Sequence, residues 1–368
     1  MATMSTGGHE TVLALNSGSS SVKFGLYAVG ASSLAVLADG EFEGADAGQA
    51  VFDHIGHVLA AAGTPPPTAI GHRIVHGGPR LRRHCRIDAA VIRQLEAAVP
   101  FAPLHLPASL ALVRGARERY PGVPQIACFD TAFHATLPEI VYTLPIAREV
   151  CAGGLRRYGF HGLSCESIVR RLDKDVPDRL VIAHLGNGAS VTAVRAGRSI
   201  DTSMGLTPSG GVIMGSRSGD LDPGVLIYLQ RERGLDAKTL EDLIDHRSGL
   251  LGISGISSDM RRLHDLSADP RAALAIAMFC YAVRKQIGAM IAVLGGIDML
   301  VFTGGIGEHD IMVRNTICEG ISWTGLSIED GSIRIMTSQE DDQIARHAGD
   351  ILHAGSTIAN EATGKDIL

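Results

Sequence analysis

Short apolar runs of strand length recur along the first half of the chain, at 11–15, 22–29, 68–75 and 123–129, and amphipathic helical patterns fill 88–98 and 107–119 between them. The second half repeats the theme: strands at 179–184, 190–195 and 298–302, and helices at 223–233, 238–245 and 270–294. Alternation of this kind predicts an α/β architecture of sheets covered by helices. The first two strands are unusual in what separates them. Asn16 ends the run VLAL, a serine-rich stretch Ser17-Gly18-Ser19-Ser20-Ser21 follows, and Lys23 sits at the start of the next strand. A tight hairpin needs a glycine, not a cluster of hydroxyls, so the excess points to a ligand.

Shifting the chain by 169 residues lays VLALNSGSSSV over VIAHLGNGASV (181–191) without a gap, with four of eleven positions identical. Both segments place small residues between two strands, which predicts two related domains, each with a loop of this kind. A third such loop, TGGIGEH (303–309), follows the strand at 298–302 and opens a helix. No GxxxxGK[ST] occurs, and no GxGxxG opens the first βα unit. Backbone N–H groups in small-residue turns, with hydroxyls and a helix start, can hold phosphate oxygens without either motif. The plain alternatives are an ordinary turn at Asn16-Ser17-Gly18 and a type I′ hairpin through Asn187-Gly188.

Composition narrows the partners. The 368 residues suggest two domains, and 45% hydrophobic with 20% charged residues fits a well-packed enzyme. A net charge of −6 without a basic patch argues against nucleic acid. The six cysteines show no CxxC pairing, which suggests a reducing, cytoplasmic setting. The start MATMSTGGHE lacks the pattern of a secretory signal. The longest apolar stretch, Ala272 to Val283, falls short of the ~20 residues that span a bilayer and reads as a buried helix, so no membrane association is expected.

Further segments complete a pattern: GHRIVHGG (71–78), FAPLH (101–105), FDTAFH (129–134), RRYGFHG (156–162), DTSMGLTP (201–208), MGSRSGDLDPG (214–224), SGLLGISGISSDMR (248–261) and FTGGIGE (302–308). With NSGSSSVKF (16–24) and HLGNGAS (184–190), they cover nearly all of residues 10–325, and in this order they resemble the acetate kinase family of the actin, hexokinase and chaperone-ATPase superfamily. The resemblance implies duplicated actin-like (ribonuclease H-like) α/β domains with a nucleotide cleft between them. Residues 1–131 with 341–368 would form the carboxylate-side domain, and 132–340 the nucleotide-binding and dimerisation domain. It also implies a homodimer, and reversible Mg2+-dependent phosphoryl transfer from ATP to acetate by direct in-line displacement, with Mn2+ able to replace Mg2+.

Residue by residue, the resemblance gives Arg73 the substrate carboxylate, and Arg217 and His161 the transferring phosphoryl group. Asp130 matches the active-site aspartate. Acetate is already ionised at neutral pH and needs no base, so Asp130 is expected to orient an arginine or a metal-bound water. Val75, Leu104, Phe160 and Pro208 match the acyl pocket. Asn16 and Glu340 match the metal positions, the latter in an altered segment, MTSQEDDQIAR (336–346), followed by a glycine-containing tail (349–368). Ser19, Ser21, Lys23, His184, Leu185, Gly186, Asn187, Gly188, Asp259, Met260, Arg261, Gly304, Gly305, Ile306, Gly307 and Glu308 match nucleotide contacts. Read without the family, SSDMRR is a capped helix start. His105 and His134 lie in matching motifs, with structural roles equally open to them.

Departures from the family are Leu163 and Cys165 after FHG, Leu106 in PLHLP, and Pro208-Ser209-Gly210-Gly211 where the family reads PLEG. The competing expectations are a kinase for propionate or another short-chain fatty acid, and an actin-like or chaperone-like ATPase.

Overall fold

The computed structural model describes residues 10–18, 21–30, 33–44 and 48–363, with side chains to 354. The chain forms two compact units. One holds the described residues through Ala132 together with those from Gln339; the other is Phe133–Ser338. Glu340, which the expected boundary left in the second domain, belongs to the first unit. It opens the long helix Glu340–Thr363, anchored where Gln343 N donates to Gln339 O at 3.1 Å, and this helix covers the first unit's sheet.

The first unit's sheet contains β1 (Glu10–Ser17), β2 (Ser21–Val29), β3 (Leu34–Glu43), β4 (Ala69–Ile74), β5 (Cys85–Arg86) and β6 (Gln125–Phe129), ordered β3-β2-β1-β4-β6-β5. β1 pairs antiparallel with β2 and parallel with β4, and β4 runs parallel to β6. Val12, Leu13, Ala14 and Leu15 are all buried, because helices cover both faces of this central strand. Leu13, Leu15, Phe24 and Leu26 pack with Phe52 and Ile55 of the helix Gln49–Ala61; Ile74 and Phe129 pack with Leu106 and Leu110 of the helix Leu106–Arg119. Each such side chain contributes about 1.5–3 kcal/mol through burial. Glycine at position 71 admits the final helix: a Cβ there would stand 2.6 Å from Ile344 Cγ2. The glycine-containing tail from 349 continues the final helix through Thr363, and Ile344, Ala345 and Ala348 bury one face of that helix.

The second unit's sheet contains β7 (Arg179–Leu185), β8 (Ala189–Arg195), β9 (Arg198–Thr202), β10 (Met299–Thr303) and β11 (Ile333–Ile335), ordered β11-β10-β7-β8-β9. Read from its own first strand, this is the order of β3-β2-β1-β4-β6, including the antiparallel first three strands and the parallel remainder. The 169-residue shift carries Glu10 onto Arg179, so the starts of β1 and β7 coincide. The duplicated α/β architecture is present.

The helix Pro270–Leu294 starts on an Asp269 cap with proline at its first position and ends at Gly295 in the left-handed region. It is long and apolar enough by composition to match a membrane-spanning segment, more than the run at 272–283 suggested. Its buried residues, among them Ala272, Ala275, Phe279, Val283, Ile287 and Met290, form one face at helical spacing against β7 and β8. Leu274, Met278 and Tyr281 remain exposed, so the helix is buried on one face only.

Candidate functional site in two halves

In the first unit, chemistry gathers where the parallel strands β1, β4 and β6 end, the usual place for ligands in such sheets. Asn16 stands near the end of β1, Arg73 near the end of β4, and Asp130 directly follows β6. Arg73 donates from Nε at 2.9 Å and Nη2 at 2.6 Å to one Asp130 oxygen, and from Nη1 to Asn16 Oδ1 at 3.2 Å and Ser17 O at 3.3 Å. Asn16 Nδ2 donates to Glu340 Oε2 at 3.3 Å and to Asp341 Oδ1 at 2.7 Å. Lys23 is the cross-strand partner of Asn16 and is exposed.

This half is electrostatically crowded. Burial pushes the Asp130 carboxyl up to about 6 even against Arg73, and the charge of Glu340 adds to the rise. Burial opposes the Arg73 charge, yet Asp130, Glu340 and Asp341 outweigh it and hold the guanidinium above its ordinary range. Asp341 is raised by burial and by Glu340, against its hydrogen bond from Asn16. Asp341 is the residue sequence reasoning missed. Its signal was adjacency to Glu340, which puts both carboxylates on the first turn of the final helix.

Among the other candidates here, Ser21 commits its hydroxyl to Glu41 Oε1 at 2.6 Å. Ser19 lies outside the described residues. Val75 is buried, whereas Leu104 is 44% exposed within this unit.

In the second unit, His161 precedes the helix Gly162–Leu172 and adopts a left-handed backbone (φ 57°), uncommon for a residue with a side chain. Its Nδ1 bonds Ser190 Oγ at 3.0 Å, and its ring stacks on His184 with centroids 4.2 Å apart. His184 Nδ1 bonds Ser164 Oγ at 2.8 Å. Arg217 Nη1 donates to Pro208 O at 3.2 Å. A Cβ added at Gly188 would lie 3.1 Å from His161 Nε2 and 3.5 Å from Arg217 Nη1, so an imidazole and a guanidinium converge beside this glycine. Arg217 follows a second close approach, since a Cβ at Gly215 would meet Asn187 Oδ1 at 2.3 Å.

The loop Gly186-Asn187-Gly188 is not the type I′ turn that its last two residues suggested. The last ladder pair is Leu185 with Ala189, which leaves a three-residue loop, and none of its residues is left-handed. Leu185 itself is a fully buried strand residue. The second loop begins at Gly304, whose left-handed backbone passes so close to Leu185 that a Cβ would meet its carbonyl oxygen at 2.7 Å. Glu308 turns back to accept from Gly304 N at 2.9 Å and Ser338 N at 3.1 Å, which commits both Glu308 and the Gly304 N–H. Gly305 is exposed, Ile306 half-buried and Gly307 buried.

Asp259 caps the helix Met260–Asp265 through Arg261 N at 2.9 Å, as the plain reading of SSDMRR expected, and pairs with the exposed Arg261 guanidinium at 2.8 Å. Met260 is core. Phe160 and Pro208 are buried. His134 Nε2 lies 2.9 Å from Phe160 O and Nδ1 2.8 Å from Ser199 Oγ, while burial lowers its pKa to about 4. A neutral ring therefore donates to the carbonyl just before His161 and accepts from the serine. His105 is half-buried at the start of the helix Leu106–Arg119.

A model of the Acetokinase family matches residues 45–352. An acetate kinase of Rhodopseudomonas palustris is 43% identical over 352 residues, covering 87% of this chain and 88% of that protein. The crystal structure of Porphyromonas gingivalis acetate kinase matches with a TM-score of 0.82 at 35% identity, over 93% of this chain and 100% of that one. That of a propionate kinase from Francisella tularensis matches at 0.85 and 33%, with the same coverage. Matched by the family model over most of its length and 43% identical to a relative that it covers almost fully, the chain belongs to the acetokinase family.

Proposed function

We propose that this protein transfers the γ-phosphoryl group of ATP to acetate, giving acetyl phosphate and ADP, and catalyses the reverse reaction. An acetate oxygen attacks phosphorus in line as the bond to the ADP oxygen breaks. No proton needs removal, because the carboxylate is ionised at neutral pH. The obstacle is the repulsion of two anions, and positioned cations and donors relieve it. The observation that carries the reading is the convergence of His161 Nε2 and Arg217 Nη1 beside Gly188. Arg73 would hold the acetate carboxylate, and Asp130 would set the plane of its guanidinium rather than act as a base. The loops 186–188 and 304–307, with Lys23, would receive the nucleotide phosphates. Val75 in the first unit and Phe160 and Pro208 in the second are the buried apolar residues that the family resemblance would assign to the methyl group.

The donors around Asn16 suit magnesium or manganese. Glu340 and Asp341 offer hard oxygen ligands, and the crowded carboxylates favour a cation; Asn16 would join them with its amide turned over, since its oxygen here accepts from Arg73 and its nitrogen faces both carboxylates. When bound, the ion would neutralise phosphate charge.

The likeness to a propionate kinase supports a second reading, a longer acid as acceptor. One methylene is worth only about 1–3 kcal/mol in a pocket, so activity on propionate is expected in either case.

A homodimer is supported by the exposed apolar residues Val225, Ile227 and Tyr228 of the helix Pro223–Arg233, together with Leu274, Met278 and Tyr281. Its particle mass in solution would be twice that of one chain. Six free thiols are in keeping with a cytoplasmic setting.

The test is hydroxylamine trapping after mixing protein, Mg-ATP and acetate, propionate or butyrate. Acetohydroxamate is the expected product, with less from longer acids. Slow ATP hydrolysis without any hydroxamate would overturn the reading in favour of an ATPase.

A further inference from the structure

The segment carrying Arg217 is fastened on both sides of that residue by one neighbouring stretch of chain. Ser216 Oγ donates to the Asp245 carbonyl at 2.8 Å, and Ser218 N to the Ile244 carbonyl at 2.9 Å. Ser248 N donates to Ser216 O at 2.9 Å, and Leu250 N to Met214 O at 2.9 Å. These partners come from the end of the helix Ala237–His246 and the start of the helix Gly249–Ser254.

Asp245 does a second thing. Its carboxylate accepts a hydrogen bond from Ser209 Oγ, while the residue as a whole is buried at 8% exposure. Ser209 follows Pro208, whose carbonyl accepts from Arg217 Nη1 at 3.2 Å. One aspartate therefore holds both the hydroxyl of Ser216, next to Arg217, and the loop whose carbonyl orients its guanidinium. In the departure Pro208-Ser209-Gly210-Gly211 the far end is held separately, Gly211 N donating to Asp220 Oδ1 at 2.7 Å and Asp220 N to Gly211 O at 2.9 Å, so Ser209 is the anchor next to Pro208.

We propose that Asp245 is a positioning residue for Arg217 and acts through the hydroxyl of Ser209. The inference rests on the phosphoryl-transfer role given to Arg217 above. With Ser209 untied from Asp245, the Pro208 carbonyl drifts even though Gly211 stays bonded to Asp220, and the guanidinium loses its aim. A misplacement of this size costs turnover while leaving substrate binding largely intact.

The experiment compares Ser209→Ala, Asp245→Ala, Asp245→Asn and the Ser209→Ala/Asp245→Ala double variant by hydroxamate formation, with melting midpoints alongside. Expected is a roughly tenfold fall in kcat for each alanine variant, with KM for Mg-ATP and acetate within about twofold of the parent. The double variant should be no slower than the slower single one, because both changes break one link. Asp245→Asn should recover most of the turnover, since its amide oxygen still accepts from Ser209. Parental kcat in Ser209→Ala, multiplicative losses in the double variant, or KM rising in step with the loss of kcat would each overturn the proposal. Should Asp245→Ala not fold, Ser209→Ala and Asp245→Asn decide it. A parent protein that forms no hydroxamate would defeat the proposed reaction instead. The Ser209–Asp245 link is then read from amide exchange across 208–218, which Ser209→Ala should accelerate and which would overturn the link if unchanged.

Discussion

Arg73 places two of its N–H groups on a single oxygen of Asp130, at 2.9 and 2.6 Å, and turns its remaining terminal nitrogen towards Asn16 and Ser17. The guanidinium is thereby fixed in plane by a buried carboxylate. Removing one partner of such a pair costs about 3–5 kcal/mol, because the other is left charged in a desolvated place. Arg73→Ala should lower the melting midpoint sharply, with Asp130, Glu340 and Asp341 left to repel one another. Arg73→Met combined with Asp130→Leu should regain much of that stability without restoring acetyl phosphate formation. Recovered activity in the double variant would remove the pair from the reaction.

Arg217→Ala should lower kcat by about 10²–10³, the loss of roughly 2.7–4 kcal/mol seen when one transition-state donor is deleted. Nucleotide affinity should barely change. Gly188→Ala should act in the same direction with an unaltered melting midpoint, because its methyl would sit between His161 and Arg217. Equal losses of turnover and nucleotide affinity in Arg217→Ala would contradict the assignment.

Glu340→Gln and Asp341→Asn should each raise the magnesium concentration for half-maximal activity by about tenfold, the lower end of the effect of weakening a metal site's immediate surroundings. Both carboxylates touch Asn16, so the two variants should behave alike. A shift confined to one of them would assign the metal to that residue alone.

The stability that His72 and His134 contribute should be lost as pH drops from about 6.5 to about 4, with Asp130, held at about 6, working in the opposite sense below that value. Burial holds His72 and His134 near pKa 4, against opposing hydrogen bonds to Gln125 and to the Phe160 carbonyl respectively. Over this window the unfolded chain takes up protons at these two rings that the folded chain refuses, so their contribution rises with pH and is fully present above about 6.5. Each histidine accounts for roughly 3 kcal/mol across the window. His72→Gln should flatten the slope of denaturation midpoint against pH; an unchanged slope would show that His72 is protonated when folded.

The central strands were legible in the sequence because they are buried on both faces and read as largely apolar runs, interrupted in β4 by Gly71, His72 and Arg73. β1, β4, β7 and β10 all lie within two residues of their expected bounds. β3 was not, since its edge position leaves LAVLADGEFE with exposed or half-buried side chains throughout. The family motifs singled out Arg73, Asp130, His161 and Arg217 as candidates. They could not reveal that Leu185 and Met260 spend their side chains on the core, or that Glu308 and Ser21 already have partners. Nor does periodicity show Asp341 beside Asn16, because 325 residues separate the two and only the packed helix brings them together.

That final helix also fixes an order of events. Residues 133–338 must all be synthesised before Glu340 can reach Asn16, so the N-terminal sheet emerges from a ribosome with the apolar flank around Gly71 bare. The second unit is continuous in sequence and can close on itself first. The half that would grip the carboxylate is then the last to mature, and until it does a nascent chain carries the loops that would hold phosphate without the means to use them.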